Sequence, residues 1–566
     1  MRTSEERSSS LSDPRCVRRG VTLRAVRQWA GERRIDRARL IHAYEAAFLV
    51  AVSRLLHAIF REGYAPQAEL WQSAAGQWFL DLGREPMLRA PVSGPLPFRG
   101  LELTGFPWKI AAGRRRLLRS TRAFLNALRP CVEPNELAQH FDRLIADFDN
   151  SFANLVLNRL IAQRLDANAQ AIEPVYEGHH YYPFPALRLG PSLRQVVECS
   201  NLSREAIDLT LVAARPCLFD STRYADYRAC FLAWAGIPLP RKAGVVIPVH
   251  PWQLELSPVI RELVERRWIA VLDRRLEAIP LASQRTCRIL RSGFDVKLPM
   301  AVTLTGEDRL LYPLNRANAT AFSLLARILL RASGESTLDF QDDVASVAHA
   351  EPFIGAHLAM IVRAPVCPRA AEIVVPALNL WFGPQQARTL LDLRRREHVY
   401  EFFRVYCRVL MRGVVDFYAR WGMALEPHLQ NVYVALRDGM PSRIILRDLD
   451  STILDPLRIR PVARANGVRL ALGTWKHMPD FATGGRRLAH ALTYGHLGQV
   501  MSYLARAAQA DLARLSAAVE ETWDELIAQA PSAACRRRVR DLHKQADTFG
   551  AFLRRWITSA DHTAVG

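Results

Sequence analysis

The stretch Leu425–Asp450, LEPHLQNVYVALRDGMPSRIILRDLD, decides how this chain is read. NVYVAL (Asn431 to Leu436) and RIILRDL (Arg443 to Leu449) are rich in β-branched and apolar residues, and Asp438-Gly439 between them is a strong turn signal. A β-hairpin is therefore expected. Folding it about Gly439-Met440 sets Asn431 level with Asp448, so that an amide oxygen and a carboxylate meet at one end of the ribbon. That pair suits a Mg²⁺ ion, a hard cation that takes oxygen ligands and keeps waters and nucleotide phosphates in its shell. A surface hairpin with solvated polar ends is the plain alternative. Glu426, His428 and Gln430 crowd the same end and leave few positions for ordinary strand packing, which favours a site.

Upstream, His398 to Gly422 reads as a long amphipathic helix with Val399, Phe402, Tyr406, Val409, Val414, Phe417 and Trp421 on its apolar face and Gly422 as its stop. The middle of the chain is richer in Pro, Gly and short β-type runs: Gly244 to His250, Trp268 to Leu272, Cys287 to Ser292 and Lys297 to Thr305. Residues 1 to about 34 lack periodicity and are expected to be poorly ordered. Helices are expected over Arg37 to Gly63, Arg114 to Leu128 and Asn135 to Leu165. The expected fold is mixed α/β (α+β): a helical N-terminal domain (1–165), a β-containing central domain (166–345) and a helix-rich C-terminal domain (346–566) with the hairpin at the active site.

Composition narrows the function. The chain has 566 residues, 49% hydrophobic and 23% charged, which suits a soluble protein of several domains. No run reaches the roughly 18 uninterrupted apolar residues of a membrane span, the best, Ala46 to Phe60, being broken by Ser53, Arg54 and His57, and the N-terminus has no apolar signal core, so a cytoplasmic location without membrane attachment is expected. Nine cysteines without a C-x-x-C pair argue against a disulfide framework or a structural zinc. The net charge of +20 comes mainly from dispersed arginines. No nucleic-acid motif accompanies the Arg114–Arg116, Arg394–Arg396 and Arg536–Arg538 clusters, so no nucleic-acid partner is expected, while a small polyanionic substrate fits.

Polar clusters precede the hairpin: EGHHYYPFPALRLG (Glu177 to Gly190), HPWQ (His250 to Gln253), and Ser283-Gln284-Arg285-Thr286 followed by Lys297, Thr305 and Arg309. HPWQ and His179-His180 each have a structural explanation as a strand end and core histidines. The third cluster offers hydroxyl and guanidinium donors to phosphate, with Lys297 and Arg309 expected at the two ends of one strand-like segment. There is no Gly-rich phosphate loop, so side chains must hold the anion.

HPWQ, S-x-R-T, K-L-x(6)-T-x(3)-R and E-x-H-x-Q-N followed by R-D, in this order and spacing, resemble the NRPS-independent siderophore synthetases of the aerobactin synthetase-like IucA/IucC family, from about Glu177 to the C-terminus. The resemblance implies an ATP- and Mg²⁺-dependent ligase that adenylates a carboxylate of citrate or a related polycarboxylate and passes it to an amine or alcohol, and it carries an expectation of a homodimer. By motif it assigns phosphate contacts to Ser283, Arg285 and Thr286, and Mg²⁺ to Asn431 and Asp448. Lys297, Thr305, Arg309 and His428 fall to the carboxylates, with Lys297, Arg309 and His428 closest to the chemistry. Glu426, Gln430 and Arg188 are assigned beside the substrate, and His179 and Gln430 beside the nucleotide. His428 is left open between oxyanion stabilisation and proton transfer. Against the family's G-H-P-x-H-P-x-x-K-x-R-x-G, this chain has Tyr182 in place of His and Ala186 in place of Lys. Two rival readings stand beside this one: a kinase-like phosphotransferase, which EPHLQN does not supply with a catalytic Asp, and a ferric-siderophore reductase-like protein, for whose iron–sulfur cluster the last third offers only Cys407 and Cys535.

Overall fold

A computed structural model describes residues 20–563 apart from 95–99, 133–135, 163–176, 180–181, 203–204, 215–218, 222–226, 239–244, 383–390, 392–394, 472–473, 475–479 and 547–551. His180 and Leu165 fall outside the described residues. The helix expected from Arg37 runs from Arg37 to Arg61, with the Asp36 carboxylate accepting the Arg39 N–H at its start and Gly63 (φ +77°) just past its end. By length and composition it is apolar enough to cross a membrane, but 67% of its apolar window is buried inside the fold. It packs against the helix Phe141–Ala162.

Two N-terminal expectations are corrected. Leu23–Glu32, inside the segment expected to be poorly ordered, is a helix whose Thr22 hydroxyl caps the Ala25 N–H, and Val26 and Ala30 reach the core. Between the long helices lies a five-stranded antiparallel meander, Glu69–Gln72, Trp78–Leu82, Met87–Val92, Trp108–Ala111 and Arg114–Leu117. Arg114–Leu117 is thus an exposed edge strand and not the start of a helix, which begins at Thr121 under the Ser120 cap. Ala112-Gly113, both at positive φ, turn the chain there, and three arginines on an edge keep other strands from pairing with it.

The central sheet has eight antiparallel strands in the order Phe219–Ser221, Asp343–His349, Ala359–Arg363, Asp295–Lys297, Thr286–Ile289, Ile269–Pro280, Ile207–Ala214 and Val245–Val249. Lys297 ends one of these strands, while Met300–Leu304 belongs to a separate three-stranded sheet with Glu307–Arg309 and Arg188–Leu189. The expectation that Lys297 and Arg309 close two ends of one strand is therefore wrong. Pro299, which has no N–H to give a ladder, separates the two sheets, and the Thr305-Gly306 turn (φ +51° and +80°) folds Arg309 back opposite Met300.

The C-terminal part packs helices around a four-stranded sheet, Leu338–Phe340, Met440–Leu446, Val432–Arg437 and Glu372–Pro376, in which only the first pairing is parallel. The long helix spans Arg396–Asp416 and continues as a π turn to Trp421, ending at Gly422 (φ +76°). The last helix, Phe552–Thr563, returns to the N-terminal helices: Leu553, Trp556 and Ile557 join their core, and Trp556 Nε1 donates to Asp147 at 2.7 Å.

Candidate active site

The hairpin forms as expected, with its register one residue off. Arg437 pairs with Met440 across Asp438-Gly439, and an irregularity after Ala435 brings Val432 opposite Leu446. Asn431 therefore faces Arg447, whose N–H donates to the Asn431 carbonyl at 3.0 Å. Asp448 is the next residue, and its left-handed backbone (φ +67°) turns the chain off the strand. Its carboxylate still lines the same cavity as Asn431.

That cavity, about 330 Å³, lies where the three-stranded sheet, the central sheet and the hairpin end meet. Every residue assigned to the site from the sequence lines it except Thr286: His179, Arg188, Ser283, Arg285, Lys297, Thr305, Arg309, Glu426, His428, Gln430, Asn431 and Asp448. Thr286 is buried in its strand beside Lys297, and its N–H donates to the Ser283 hydroxyl at 3.1 Å, tying down the loop that presents Ser283 and Arg285. HPWQ, as its plain reading has it, is structural. His250 caps a short helix through the Trp252 N–H, and Gln253 accepts from the Ala301 N–H at 2.6 Å and donates to the His357 carbonyl at 2.7 Å.

Charge is dense here. The Lys297 ammonium, 2% exposed, donates to Asp448 Oδ1 at 2.5 Å and to Asp450 at 2.9 and 3.0 Å. Arg363 donates to the same Asp448 oxygen and to Asp343 at 2.7 Å. Burial alone would push the Asp448 carboxyl up, but Arg363 and Lys297 hold it well below the usual carboxylate range. Asp450 goes the other way, raised by burial and by neighbouring Asp448 against the pull of Lys297. Asp450 and Arg363 were missed from the sequence. The signal for Asp450 was the second acid of RDLD, two residues past Asp448, whereas Arg363 ends an apolar strand with no motif around it.

Arg285 donates to the Leu310 carbonyl at 2.8 Å, and Arg309 to the Leu304 carbonyl at 2.7 Å and to the Thr305 hydroxyl. Burial and the Arg285 charge lower the Arg309 pKa. Burial likewise holds His428 below its ordinary value, against Glu426 and Asp448, so its ring is neutral near pH 7. The loop carrying His428 is fixed from behind by a polar chain. His496 Nδ1 lies 2.7 Å from the Pro427 carbonyl, which can only accept, so Nδ1 carries the proton. Nε2 must then accept from the Tyr406 hydroxyl at 2.5 Å, whose oxygen accepts in turn from Trp381 Nε1 at 3.1 Å. Burial puts His496 at about 3, keeping this neutral form. His496 sits in a π-helical stretch, His490–Leu497, whose Gly495 also lines the cavity.

The donors present fit a magnesium ion. Asn431 Nδ2 donates to the Glu426 carbonyl at 3.2 Å, which leaves Oδ1 as an acceptor, and the Asp448 carboxylate lines the same cavity, so both can serve as hard oxygen donors. Among the described residues no group of three or more His, Cys, Asp or Glu is placed to hold a metal by itself. An ion here would share its shell with ligand oxygens, as Mg²⁺ at nucleotides does. Of the departures named above, Ala186 is buried with its N–H on the Ser151 hydroxyl, and the Tyr182 hydroxyl is buried, without a hydrogen-bond partner among the described residues, against Gly306, where no Cβ would fit.

The fold is shared with several solved structures. It matches the petrobactin biosynthesis protein AsbB from Bacillus anthracis str. Sterne at TM-score 0.74 and 17% identity, over 91% of this chain and 93% of that one. It also matches the ATP-bound aerobactin synthetase IucA from a hypervirulent pathotype of Klebsiella pneumoniae at TM-score 0.69 and 16% identity, over 86% and 93%. Residues 168–381 match the IucA / IucC family, and residues 401–563 match the ferric iron reductase FhuF-like transporter family. The cysteines of that second segment, Cys407 and Cys535, are buried. Among sequence relatives, the L-2,3-diaminopropanoate–citrate ligase of Staphylococcus aureus (strain NCTC 8325 / PS 47) is 22% identical over 65% of this chain and 68% of its own length. An uncharacterized protein, y4xN, of Sinorhizobium fredii (strain NBRC 101917 / NGR234) is 24% identical over 72% and 74%.

Proposed function

We propose that this chain is an ATP-dependent, AMP-forming ligase of siderophore biosynthesis, acting in the cytoplasm on a carboxylate of citrate or a related polycarboxylate. The observation that carries this reading is the single cavity in which Arg188, Arg285, Lys297 and Arg309 face Asn431 and Asp448. A polycarboxylate and a triphosphate repel each other in water, and only a site with several fixed cations holds both in reacting position. The names of the relatives, a citrate ligase and an ATP-bound synthetase, support the same reading.

In the first step a carboxylate oxygen bonds to the α-phosphorus and pyrophosphate leaves. In the second an amine nitrogen or alcohol oxygen bonds to the acyl carbon, AMP leaves, and the nucleophile loses a proton. Ser283 and Arg285 present donors to the phosphates, and Arg309, Thr305 and Lys297 orient the acid. The neutral His428 ring can take the nucleophile's proton. Magnesium held by Asn431 and Asp448 would offset phosphate charge when bound.

The test is pyrophosphate release from ATP, screened over polycarboxylates with and without amines. Release that depends on one acid is expected, with AMP as coproduct; ADP would mean phosphoryl transfer to substrate. Arg285→Ala and His428→Ala should each cut release by about 100-fold or more with circular dichroism unchanged. Wild-type rates in both variants would refute the assigned pocket.

A further inference from the structure

The cations of the cavity are held in two different ways. Lys297 meets carboxylates, whereas Arg188 meets amides. Asn150, Asn154 and Asn158 are spaced by four in the helix Phe141–Ala162, so they form a stripe on one face, and all three are buried. Asn150 Oδ1 accepts the Arg188 backbone N–H at 2.9 Å. The guanidinium Nη1 donates to Asn154 Oδ1 at 3.2 Å and to Asn158 Oδ1 at 2.9 Å. A guanidinium only donates, so the amides must turn their oxygens toward it, and Asn154 Nδ2 accordingly donates back along the stripe to the Asn150 carbonyl at 3.0 Å. The cradle is tight: a Cβ on Gly20 would collide with the Asn150 amide and the Arg188 carbonyl.

Amide oxygens orient a guanidinium but leave its unit charge in place. Arg188 is 6% exposed and lines the cavity, and among the described residues it forms no ion pair with a carboxylate. Burial accordingly lowers its pKa, to about 10. A buried cation without a counter-charge is costly, and aspartate, which has the shape of asparagine, would remove that cost at either position.

We propose that Asn154 and Asn158 are positioning residues that keep Arg188 unneutralised, so that this end of the cavity is a subsite for an anionic oxygen group of the ligand, a carboxylate or a phosphate. The proposal rests on the ligase reading only in naming citrate and ATP as the sources of that group. The test substitutes Asn158→Asp, with Asn154→Asp as the second variant should the first fail to fold, and titrates citrate and ATP separately by calorimetry alongside thermal unfolding.

The aspartate should leave the melting temperature equal to or above that of the wild type, since it gives Arg188 a counter-ion, while weakening at least one ligand 10-fold or more. A merely structural asparagine would give the opposite pattern, lower stability with affinity intact. Weakening of citrate alone identifies a carboxylate at Arg188, and weakening of ATP alone a phosphate. Unchanged affinity for both overturns the subsite. A wild-type protein that binds neither ligand counts against the ligase reading alone, and inorganic phosphate and acetate titrated in the same way then decide the subsite.

Discussion

The two walls of the cavity solve the problem of buried charge differently. Where the central sheet meets the hairpin, charge is answered by charge: Lys297 and Arg363 against Asp343, Asp448 and Asp450. Toward the N-terminal helices, charge is answered by dipoles. Arg188 sits on asparagine oxygens, and on the same body Glu62 accepts the N–H groups of Leu553 and Arg554 at 2.8 and 2.9 Å. On an ion-paired wall the cations already have counter-charges before a ligand arrives, so a ligand must compete for them. A dipole-held wall keeps its charge and bears the cost of that in stability.

Breaking the ion-paired wall should have the largest effect. Lys297→Met takes away the ammonium that Asp448 and Asp450 share and should cost about 3–5 kcal/mol of stability, measured by urea unfolding, together with loss of pyrophosphate release. A cost under about 1 kcal/mol would show that the pairing does not hold this wall together. Next comes the chain behind His428. Tyr406→Phe strips His496 of its donor and leaves the Trp381 indole N–H unpaired, which should cost about 1–3 kcal/mol. Because only the Pro427–His428 loop is loosened, turnover should drop by about 10-fold while the KM for ATP stays as in the wild type.

The smallest effect tests the dipole-held side through pH. Burial raises Glu62 to about 7, with the two backbone N–H groups and Arg554 pulling it back only in part. The folded protein therefore binds that proton more tightly than the unfolded chain. Its stabilising contribution is complete below about pH 4.5 and is lost as pH rises through about 7. Glu62→Gln does not titrate, so its stability relative to wild type should improve between pH 5 and pH 8, by on the order of 1–2 kcal/mol after allowance for partial exposure. A constant difference between the two pH values would place Glu62 at an ordinary carboxylate pKa.

These contrasts also mark what the sequence could reveal. Long periodic helices such as Arg37–Arg61 and Arg396–Asp416 were legible because packing follows the apolar stripe. The five-stranded meander was not, since its strands are four to six residues long and one of them reads RRRL. The hairpin was legible but its register was not, because the irregularity after Ala435 leaves no mark in residue type. Site residues carried by short motifs came together in the cavity. The asparagine stripe stayed hidden although FDNSFANLVLNRL falls in an expected helix, because nothing in residue type says that three amides on one face meet an arginine from a separate strand.

The return of the last helix has a bearing on how the molecule is made. Leu553, Trp556 and Ile557 complete a core that begins at Val21. Domains usually fold as units while the ribosome is still at work, the first ones earliest. Here the core begun at Val21 waits for Leu553, Trp556 and Ile557, so the N-terminal helices emerge with an apolar face uncovered, and a nonsense codon shortly before Phe552 would expose it permanently.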